Sequence, residues 1–461
     1  MTGGAGFAVA LALVYVAVMA APGVGLVAWS LRGRGLRWPT ALAVALAGGM
    51  TLAGFGALAA GLVPGVPVLA VVWALALAGL ATVVVQRRRG QLPRVLASGT
   101  RGAWRGPALP VGLAALAGVV LLVAVHSLAV HYWAWDAWSI WDLKSRLLAH
   151  HLPTGDWQER LRDPALGFTH PAYPLGLPLQ RAIAYLMAAT PYTQLGKLSD
   201  IIWFCVFALA LWSLARQRLA AGPATLLTAG ALAMPAAISW ASSGFAEIPV
   251  AALYAVALLA LREFHRAPTR WGAPLGVTLA GLAFMKNEGL VLAALVGGLA
   301  VLIAWRSRRP DRWRGLALTV GLAGVLIAPW LLARAGLPAT DENYPEHLRL
   351  AVIQQNLGRL PEILRTLGAA FVDLRTWGVL WLALPVAAVI GARAWRRRET
   401  QLAWALLLAH LCVYCLVWVI TPWDITTLLD MTVDRLLLQI SPLLVLLLAT
   451  HLAAALRPRR Q

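Results

Sequence analysis

Two aspartates in one aromatic segment are the first residues of this sequence that could do chemistry. The segment 131–146 reads HYWAWDAWSIWDLKSR and comes directly after an apolar run. Asp136 stands at the junction, where a carboxylate at the edge of a membrane is costly unless it has a partner or a function. Such a carboxylate can accept the proton of an attacking hydroxyl group. Asp136 is therefore a candidate general base, with a paired structural acid as the alternative.

The same segment has the periodicity of a helix lying on a membrane surface. At about 100° per residue, a helix over 135–148 places four apolar side chains on one arc: Trp135, Trp138, Trp141 and Leu148. A tryptophan stripe of this kind predicts a helix at headgroup depth. Asp142 falls within the arc, four residues before Arg146, which predicts a salt bridge between them. Asp136 points about 120° away from Asp142.

A proline-rich element comes next in the same loop. Residues 170–178 read HPAYPLGLP, and three prolines in eight residues exclude a regular helix start before Pro178. The apolar stretch from about residue 175 is too short for a confident membrane span. We expect it to form a re-entrant or juxtamembrane helix, with His170 at its entrance.

Further ionisable residues stand at the predicted outer ends of later apolar runs. Glu247 lies two residues before Pro249, in the first turn of a helix, where the helix dipole favours a carboxylate. Lys286 and Glu288 form a hairpin tip that could reach an anionic headgroup or pair internally. Arg435 opens the last run, where it could bind an anion or simply snorkel to the interface.

Carboxylates and cations on one membrane face suit chemistry on an anionic lipid. A carboxylate can deprotonate an acceptor hydroxyl, and guanidinium or ammonium groups can hold a phosphate and stabilise it as it leaves. The candidates for binding substrate are His170, Lys144, Glu247, Lys286, Glu288 and Arg435.

The composition limits what kind of protein can carry these residues. The chain has 461 residues, of which 60% are hydrophobic and 13% charged, with a mean hydropathy of +0.73. Soluble domains carry about 25% charged residues, so a soluble globular protein, a disordered chain and a secreted disulfide scaffold are excluded. A transmembrane β-barrel would show short alternating segments instead. We read the three cysteines as buried thiols inside apolar runs rather than a redox pair.

Long apolar runs recur along the whole chain and predict an all-α polytopic membrane protein. Thirteen spans are predicted, at 7–31, 40–62, 67–86, 108–130, 195–215, 223–241, 247–261, 272–286, 289–305, 315–333, 376–393, 402–420 and 436–455. Three outer loops hold the polar material: 131–194, 334–375 and 421–435. Function is therefore expected where the spans meet the outer surface.

The arginines predict the orientation of these spans. The net charge is +20, yet the basic residues sit in short clusters after alternate spans, a pattern of membrane topology and not of nucleic-acid binding. The predicted inner side holds 26 basic and 3 acidic residues, and the outer side 13 and 16. The positive-inside rule then places the N-terminus outside and the C-terminus inside the cytoplasmic membrane, and an odd span count agrees with opposite ends. The first span lacks a basic n-region and reads as retained, not as a cleaved signal.

Four of these elements, in this order, resemble the GT-C superfamily of membrane glycosyltransferases, which includes protein O-mannosyltransferases and lipid A aminoarabinose transferases. Asp136 stands at the head of an outer loop, as that family's catalytic acid does. The HPAYP element at 170–174, the FAEIP start at 245–249 and the RLLLQISP segment at 435–442 are similar to further family elements. The likeness covers roughly 108–455. It implies a GT-C-like core over 108–461 and an N-terminal three-span extension over 1–107.

The resemblance implies a sugar donor linked to polyprenyl phosphate, used on the outer leaflet in an inverting single displacement. Asp136 would act as general base, while Arg435 and Lys286 would bind the donor phosphate. Glu247, Glu288 and His170 would orient the acceptor or the lysine, or hold a divalent cation. No nucleotide-binding βαβ pattern is visible in the sequence.

Two other functions stay open at this point. A transporter or flippase of a lipid-linked or anionic substrate also keeps ions at membrane depth, but it predicts ionisable residues near mid-span, where these spans have almost none. A ligase that transfers a lipid-linked glycan, or an inactive subunit of wall-polymer assembly, is the third possibility. The sequence does not separate such a ligase from a monosaccharide transferase.

Overall fold

The protein is described by a computed structural model that covers residues 2–33, 35–96, 107–307, 309–339 and 344–456. Part of the predicted inner arginine set lies outside these ranges: Arg34, Arg101, Arg105, Arg308, Arg457, Arg459 and Arg460. The described residues form α-helices joined by short turns, with one pair of three-residue strands. This confirms the prediction of an all-helical polytopic membrane protein.

The helices of the first part of the chain, up to Met285, are α1 (Thr2–Ser30), α2 (Trp38–Gly61), α3 (Val68–Arg88), α4 (Ala108–Ala129), α5 (Leu143–His151), α6 (Trp157–Leu161), α7 (Gly176–Ala188), α8 (Thr193–Arg216), α9 (Ala221–Leu232), α10 (Pro235–Ser243), α11 (Glu247–Arg266) and α12 (Pro268–Met285). A π-helical turn (Ala137–Asp142) and a 3-10 helix (Pro164–Thr169) lie in the loop between α4 and α7. Strands β1 (Gly35–Arg37) and β2 (Arg94–Leu96) pair in parallel.

The later helices are α13 (Asn287–Ser307), α14 (Pro310–Arg334), α15 (Tyr344–His347), α16 (Leu350–Asn356), α17 (Leu360–Val372), α18 (Leu374–Trp377), α19 (Leu380–Ile390), α20 (Arg398–Ile420) and α21 (Ile425–Ala455). Two further 3-10 helices span Leu357–Arg359 and Ala392–Arg396.

Within the described ranges, ten helices are long and apolar enough to cross a membrane: α1, α2, α3, α4, α8, α11, α13, α14, α20 and α21. The pair α9 and α10 adds an eleventh if it counts as one span, although it bends by 62° at the break between the two helices. The predicted count of thirteen is therefore not confirmed.

Three predicted spans are not among the ten long apolar helices, and each has a local physical reason. The span predicted at 223–241 is interrupted before Pro235, whose ring cannot continue the α9 helix. The span predicted at 272–286 is α12, which begins with the polar Thr269 and Arg270 and also holds Pro274. The span predicted at 376–393 is the 11-residue α19, about 16 Å long against a hydrocarbon core of about 30 Å. A count of ten or eleven does not fix whether the two ends lie on opposite sides, so the predicted orientation rests on the arginine clusters alone.

The chain divides into two compact units. The first is formed by Met1–Ser98, Val123–Ala210 and Ala241–Pro338, and the second by Gly99–Leu122, Leu211–Trp240 and Ala339–Gln461. The first unit thus combines α1 to α3 with later helices. The division into 1–107 and 108–461 comes only from the resemblance and stays a prediction.

Small residues let the helices of the first unit approach closely. A Cβ atom added at Gly23 of α1 would overlap the carbonyl oxygen of Ala45 in α2, and one at Gly272 of α12 would lie 2.6 Å from the carbonyl oxygen of Gly315 in α14. In membranes such small-residue contacts replace the hydrophobic driving force. Gln180 of the buried α7 joins this core, because it donates to the Met50 carbonyl at 3.2 Å and accepts from the Trp203 indole at 2.7 Å.

In the second unit, α19 and α20 pack against the long α21. The His451 ring lies 3.2 Å from the carbonyl oxygen of Gly391 and accepts from the Trp404 indole at 3.1 Å. These bonds fix the C-terminal end of α21.

Candidate functional site

The loop over 131–194, predicted to lie outside the membrane, begins with a π-helical turn where the sequence predicts a regular helix. The backbone N–H of Leu143 donates to the carbonyl of Trp138, five residues earlier. The hydroxyl of Ser139 donates to the Trp135 carbonyl at 2.7 Å, and that of Ser145 to the Trp141 carbonyl at 2.6 Å. Such back-bonding competes with the helical pattern and favours a local distortion.

The π turn divides the predicted tryptophan arc. The extra residue in the turn rotates the helix after it relative to the residues before it. Trp135 and Trp138 are therefore 59% and 43% exposed, whereas Trp141 is 1% exposed. The prediction that all three share one face with Leu148 is wrong, and Asp142 is turned inward with Trp141.

Asp142 is held from two sides. The predicted salt bridge is confirmed, because the Arg146 Nε donates to Asp142 Oδ2 at 2.8 Å. The hydroxyl of Tyr185, on α7, donates to the other carboxylate oxygen. Burial, together with the charge of Asp142, raises the pKa of Tyr185 above its ordinary value, so the hydroxyl keeps its proton. These contacts tie the first loop to α7.

A cavity of about 270 Å³ opens beside this carboxylate. It is lined by His131, Tyr132, Trp138, Asp142, Leu143, Arg146 and Thr193. All of these belong to the first unit, and they come from the segment after α4, the π turn, α5 and the start of α8. The sequence predicted polar chemistry here but assigned it to Asp136 and not to this set.

Asp136 lies one residue before the π turn and is half-buried. It is adjacent in sequence to Ala137, with which the turn begins, but it is not among the residues that line the cavity. The predicted general base thus directly precedes, in sequence, the turn that contributes Trp138 and Asp142 to the cavity wall.

Lys144 and His170, two predicted binding residues, are brought together. Lys144 is fully buried, and its Nζ donates to the backbone carbonyl of His170 at 3.1 Å. The ammonium lies 5.6 Å from the ring centre of Trp141 and 5.5 Å from that of Tyr173. Burial lowers the pKa of Lys144 to about 7. Its contact is thus with the main chain of the loop and not with the imidazole.

His170 itself adopts a left-handed conformation, with φ of 52°. It ends the 3-10 helix, and its ring stacks on Tyr173 at 4.7 Å between ring centres. The next helix, α7, begins at Gly176, close to the predicted residue 175, and the expectation that no helix starts before Pro178 is wrong, because Pro178 lies in its first turn. A proline is tolerated there because the first N–H groups of a helix have no partner within it.

Glu247, Lys286 and Glu288 form a second group. Lys286 Nζ lies 2.7 Å from Glu247 Oε1 and 2.8 Å from Glu288 Oε1. Glu247 is fully buried at the first position of α11, Lys286 is buried at the end of α12, and Glu288 is partly exposed at the start of α13. The internal pairing that the sequence left open for the hairpin tip is the arrangement found.

A third group was not predicted. Arg181, on α7, is fully buried and donates to Asp200 Oδ1 at 2.8 Å and to the Gly244 carbonyl at 2.7 Å. Tyr132 donates to the other oxygen of Asp200 at 3.1 Å. Lys197 donates to the Val130 carbonyl. The signal for this group was present, since Lys197 and Asp200 are charges inside a predicted span, where ionisable residues are rare.

Arg435 belongs to the second unit. Its guanidinium carbon lies 5.4 Å from the ring centre of Trp240, which is a cation–π distance. The same indole donates to Asp434 Oδ2 at 3.0 Å. Arg435 is thus a half-buried cation against an aromatic face within α21, and this helix begins at Ile425, ten residues before the opening predicted at Arg435.

The described residues contain no group of three or more His, Cys, Asp or Glu side chains that could hold a metal ion. In particular, Glu247, Glu288 and His170 do not come together as the ligand set that a divalent cation would need.

No family model, no curated protein and no solved structure matches this chain. Function must therefore be inferred from the residues and their geometry.

Proposed function

We propose that this protein is a membrane glycosyltransferase that moves a sugar from a polyprenyl-phosphate donor to an acceptor hydroxyl at the outer face of the cytoplasmic membrane. The observation that carries the proposal is the position of Asp136. Asp136 is half-buried after the membrane helix α4 and directly precedes the π turn, of which Trp138 and Asp142 line a cavity. π turns inside helices occur frequently at functional sites.

The proposed reaction is a single displacement at the anomeric carbon. Asp136 accepts the proton of the acceptor hydroxyl as its oxygen forms a bond to that carbon. The bond between the carbon and the phosphate oxygen breaks, and its electron pair leaves with the polyprenyl phosphate. One displacement inverts the configuration of the sugar. A general base of this kind contributes about 10²–10⁴-fold to the rate.

The contacts of the cations refine the roles that the resemblance implies. Lys286 is enclosed by two carboxylates, so we assign Lys286, Glu247 and Glu288 to a positioning group that joins α11, α12 and α13. The role of Arg435 as a phosphate ligand remains a prediction from the resemblance. The Arg435 guanidinium already lies against Trp240, which reduces the entropy that it would lose on binding an anion.

The orientation belongs to the proposal as well. The arginine clusters favour an N-terminus outside and a C-terminus inside, which puts the first loop on the outer face. Membrane lipids would then surround the site, and the donor would reach it from the outer leaflet.

One observation favours a different function. The bent pair α9 and α10 is a broken helix, and broken helices near the midplane are common in transporters. A flippase for a lipid-linked or anionic substrate is therefore the second candidate.

The two candidates differ in whether a covalent bond is made. Purified protein in vesicles is incubated with a panel of radiolabelled polyprenyl-phosphate sugars and with membrane extract as acceptor. The proposal expects label to move from the lipid phosphate into a new product, with unlabelled polyprenyl phosphate released in equal amount. Transfer of intact donor between leaflets without release of polyprenyl phosphate would favour the flippase instead.

A further inference from the structure

We propose that the cavity beside Asp142 binds a phosphate group through Arg146, with His131 as a second ligand. The inference deepens the proposed function, on which it rests for the class of ligand, the phosphate of a lipid-linked donor. The sequence assigned Arg146 only to a salt bridge. The structure gives it a further capacity.

Arg146 is held in place by two hydrogen bonds and still has donor groups that could bind a ligand. Its Nε donates to Asp142 at 2.8 Å and its Nη2 to the Thr193 hydroxyl at 2.5 Å. Nη1 has no hydrogen-bond partner among the described residues, and the side chain is 38% exposed and lines the cavity. A fixed guanidinium with one open edge is suited to a charge-assisted bond to an anion.

The surroundings of the cavity carry an excess of positive charge. Arg146, Arg181 and Lys197 face two carboxylates, Asp142 and Asp200, which leaves one cation in excess. The Arg181 guanidinium carbon and the Lys197 Nζ lie 4.8 and 4.6 Å from the ring centre of Tyr132, which lines the cavity. Arg181 is fully buried, and its Nε and Nη1 have no partner within the described ranges. A buried cation so incompletely paired attracts an anion nearby.

Two further features point to the same ligand. Thr193, in the cavity wall, is the first residue of the 24-residue helix α8, whose N-terminus carries partial positive charge. His131 is an exposed member of the wall that can donate a hydrogen bond to a phosphate oxygen.

The carboxylate in the wall does not oppose an anion. Both oxygens of Asp142 already accept hydrogen bonds, one from Arg146 and one from Tyr185. Arg146 thus offsets the charge of Asp142, and the neutral Tyr185 hydroxyl occupies its other oxygen.

The shape favours a headgroup and not a whole lipid. The volume of about 270 Å³ is below the range of about 300–1,000 Å³ for drug-sized ligands. At the rim, Trp138 contacts Trp135 at 4.6 Å between ring centres, and Trp135 lies 6.2 Å from Phe168. These three exposed rings offer an apolar surface for the first isoprene units, outside the cavity.

The test measures binding of radiolabelled farnesyl phosphate to the purified full chain in detergent, with farnesol and inorganic phosphate as competitors. The proposal expects Arg146→Gln to weaken binding at least tenfold and His131→Ala about threefold. The matched control is Arg160→Gln, because Arg160 also pairs with an aspartate four residues earlier in the same loop. It should bind as the unaltered protein does. Since His131 is exposed, its variant keeps the test valid if Arg146→Gln does not fold.

The competitors decide between sources of the phosphate. Competition by inorganic phosphate at the concentration effective for farnesyl phosphate would assign the cavity to free phosphate, and a much weaker effect would assign it to a lipid phosphate. The inference is overturned if farnesol competes as well as farnesyl phosphate, or if both variants bind normally. If binding depends on Arg146 but the protein transfers no sugar, this phosphate site is retained and the transferase is rejected. If the protein transfers sugar and Arg146→Gln binds farnesyl phosphate normally, the transferase is retained and this phosphate site is rejected.

Discussion

Two charged regions of the first unit, both predicted to be functional, differ in how completely their charges are matched. In the group of Glu247, Lys286 and Glu288, one buried ammonium is shared by two carboxylates at 2.7 and 2.8 Å. In the loop over 131–194, Arg146 pairs with Asp142 through Nε and keeps an open edge beside a cavity. The first region is organised to hold three helices together. The second retains the unused hydrogen-bonding capacity that a substrate requires.

The two buried lysines make the same contrast on a smaller scale. Lys286 has two acidic partners, whereas Lys144 rests on a carbonyl oxygen and two aromatic rings. A buried ammonium without a carboxylate is destabilised by lost hydration, which lowers its pKa. The protein therefore tolerates the neutral form of Lys144 but depends on the charge of Lys286.

The largest effect on stability is expected in the group of Glu247, Lys286 and Glu288. Lys286→Met removes the cation that two carboxylates share, one of them the fully buried Glu247, and breaking a buried ion pair costs about 3–5 kcal/mol. We expect a clear fall in the thermal unfolding midpoint in detergent. The double variant Lys286→Met with Glu247→Gln should recover a large part of it, and an unchanged midpoint in the single variant would remove the contrast between the two regions.

A middle-sized effect is expected at Lys144 and depends on pH. Because the pKa of Lys144 is about 7 in the folded protein and about 10.5 when unfolded, the unfolded chain binds the extra proton between these values. Stability should therefore rise with pH in this window, by about 2 kcal/mol between pH 7 and 9. Unfolding midpoints at both pH values should show this rise in the unaltered protein and lose it in Lys144→Met. An equal rise in both would show that Lys144 is not the titrating group.

The smallest effect on stability is expected at Arg146, beside the cavity. Arg146→Gln breaks a salt bridge whose cation is partly exposed to solvent, and Asp142 keeps the hydrogen bond from Tyr185. The expected cost is about 1 kcal/mol. A loss as large as that of Lys286→Met would mean that Arg146 serves the fold and not a ligand.

Local rules predicted much of the fold and part of the site. The apolar runs predicted the ten long helices, and the spacing of Asp142 and Arg146 predicted their salt bridge, because both depend on residues close in sequence. The π turn was not predicted, since a helical wheel assumes one period throughout. The hydroxyls of Ser139 and Ser145, which accompany the distortion, are common in regular helices too.

The long-range partners could not be predicted. Tyr185 lies 43 residues after Asp142 in the sequence, and Arg181 meets Asp200 across the turn between α7 and α8. The sequence marked Lys197 and Asp200 as charges within a span, and this signal would have identified the cluster beside the cavity. The burial of Lys144 could not be predicted either, because nothing in its neighbouring residues distinguishes it from a surface lysine.

The most direct test of the account is the initial rate of sugar transfer by Asp136→Asn, measured with a polyprenyl-phosphate sugar on purified protein. Its matched control is Asp163→Asn, an exposed acid of the same loop whose side chain accepts a hydrogen bond from Ala165. The account predicts that Asp136→Asn loses about 10²–10⁴-fold in rate while its unfolding midpoint and its binding of farnesyl phosphate stay unchanged. A near-normal rate in Asp136→Asn, with Asp163→Asn equally active, would contradict the assignment of Asp136 as the general base.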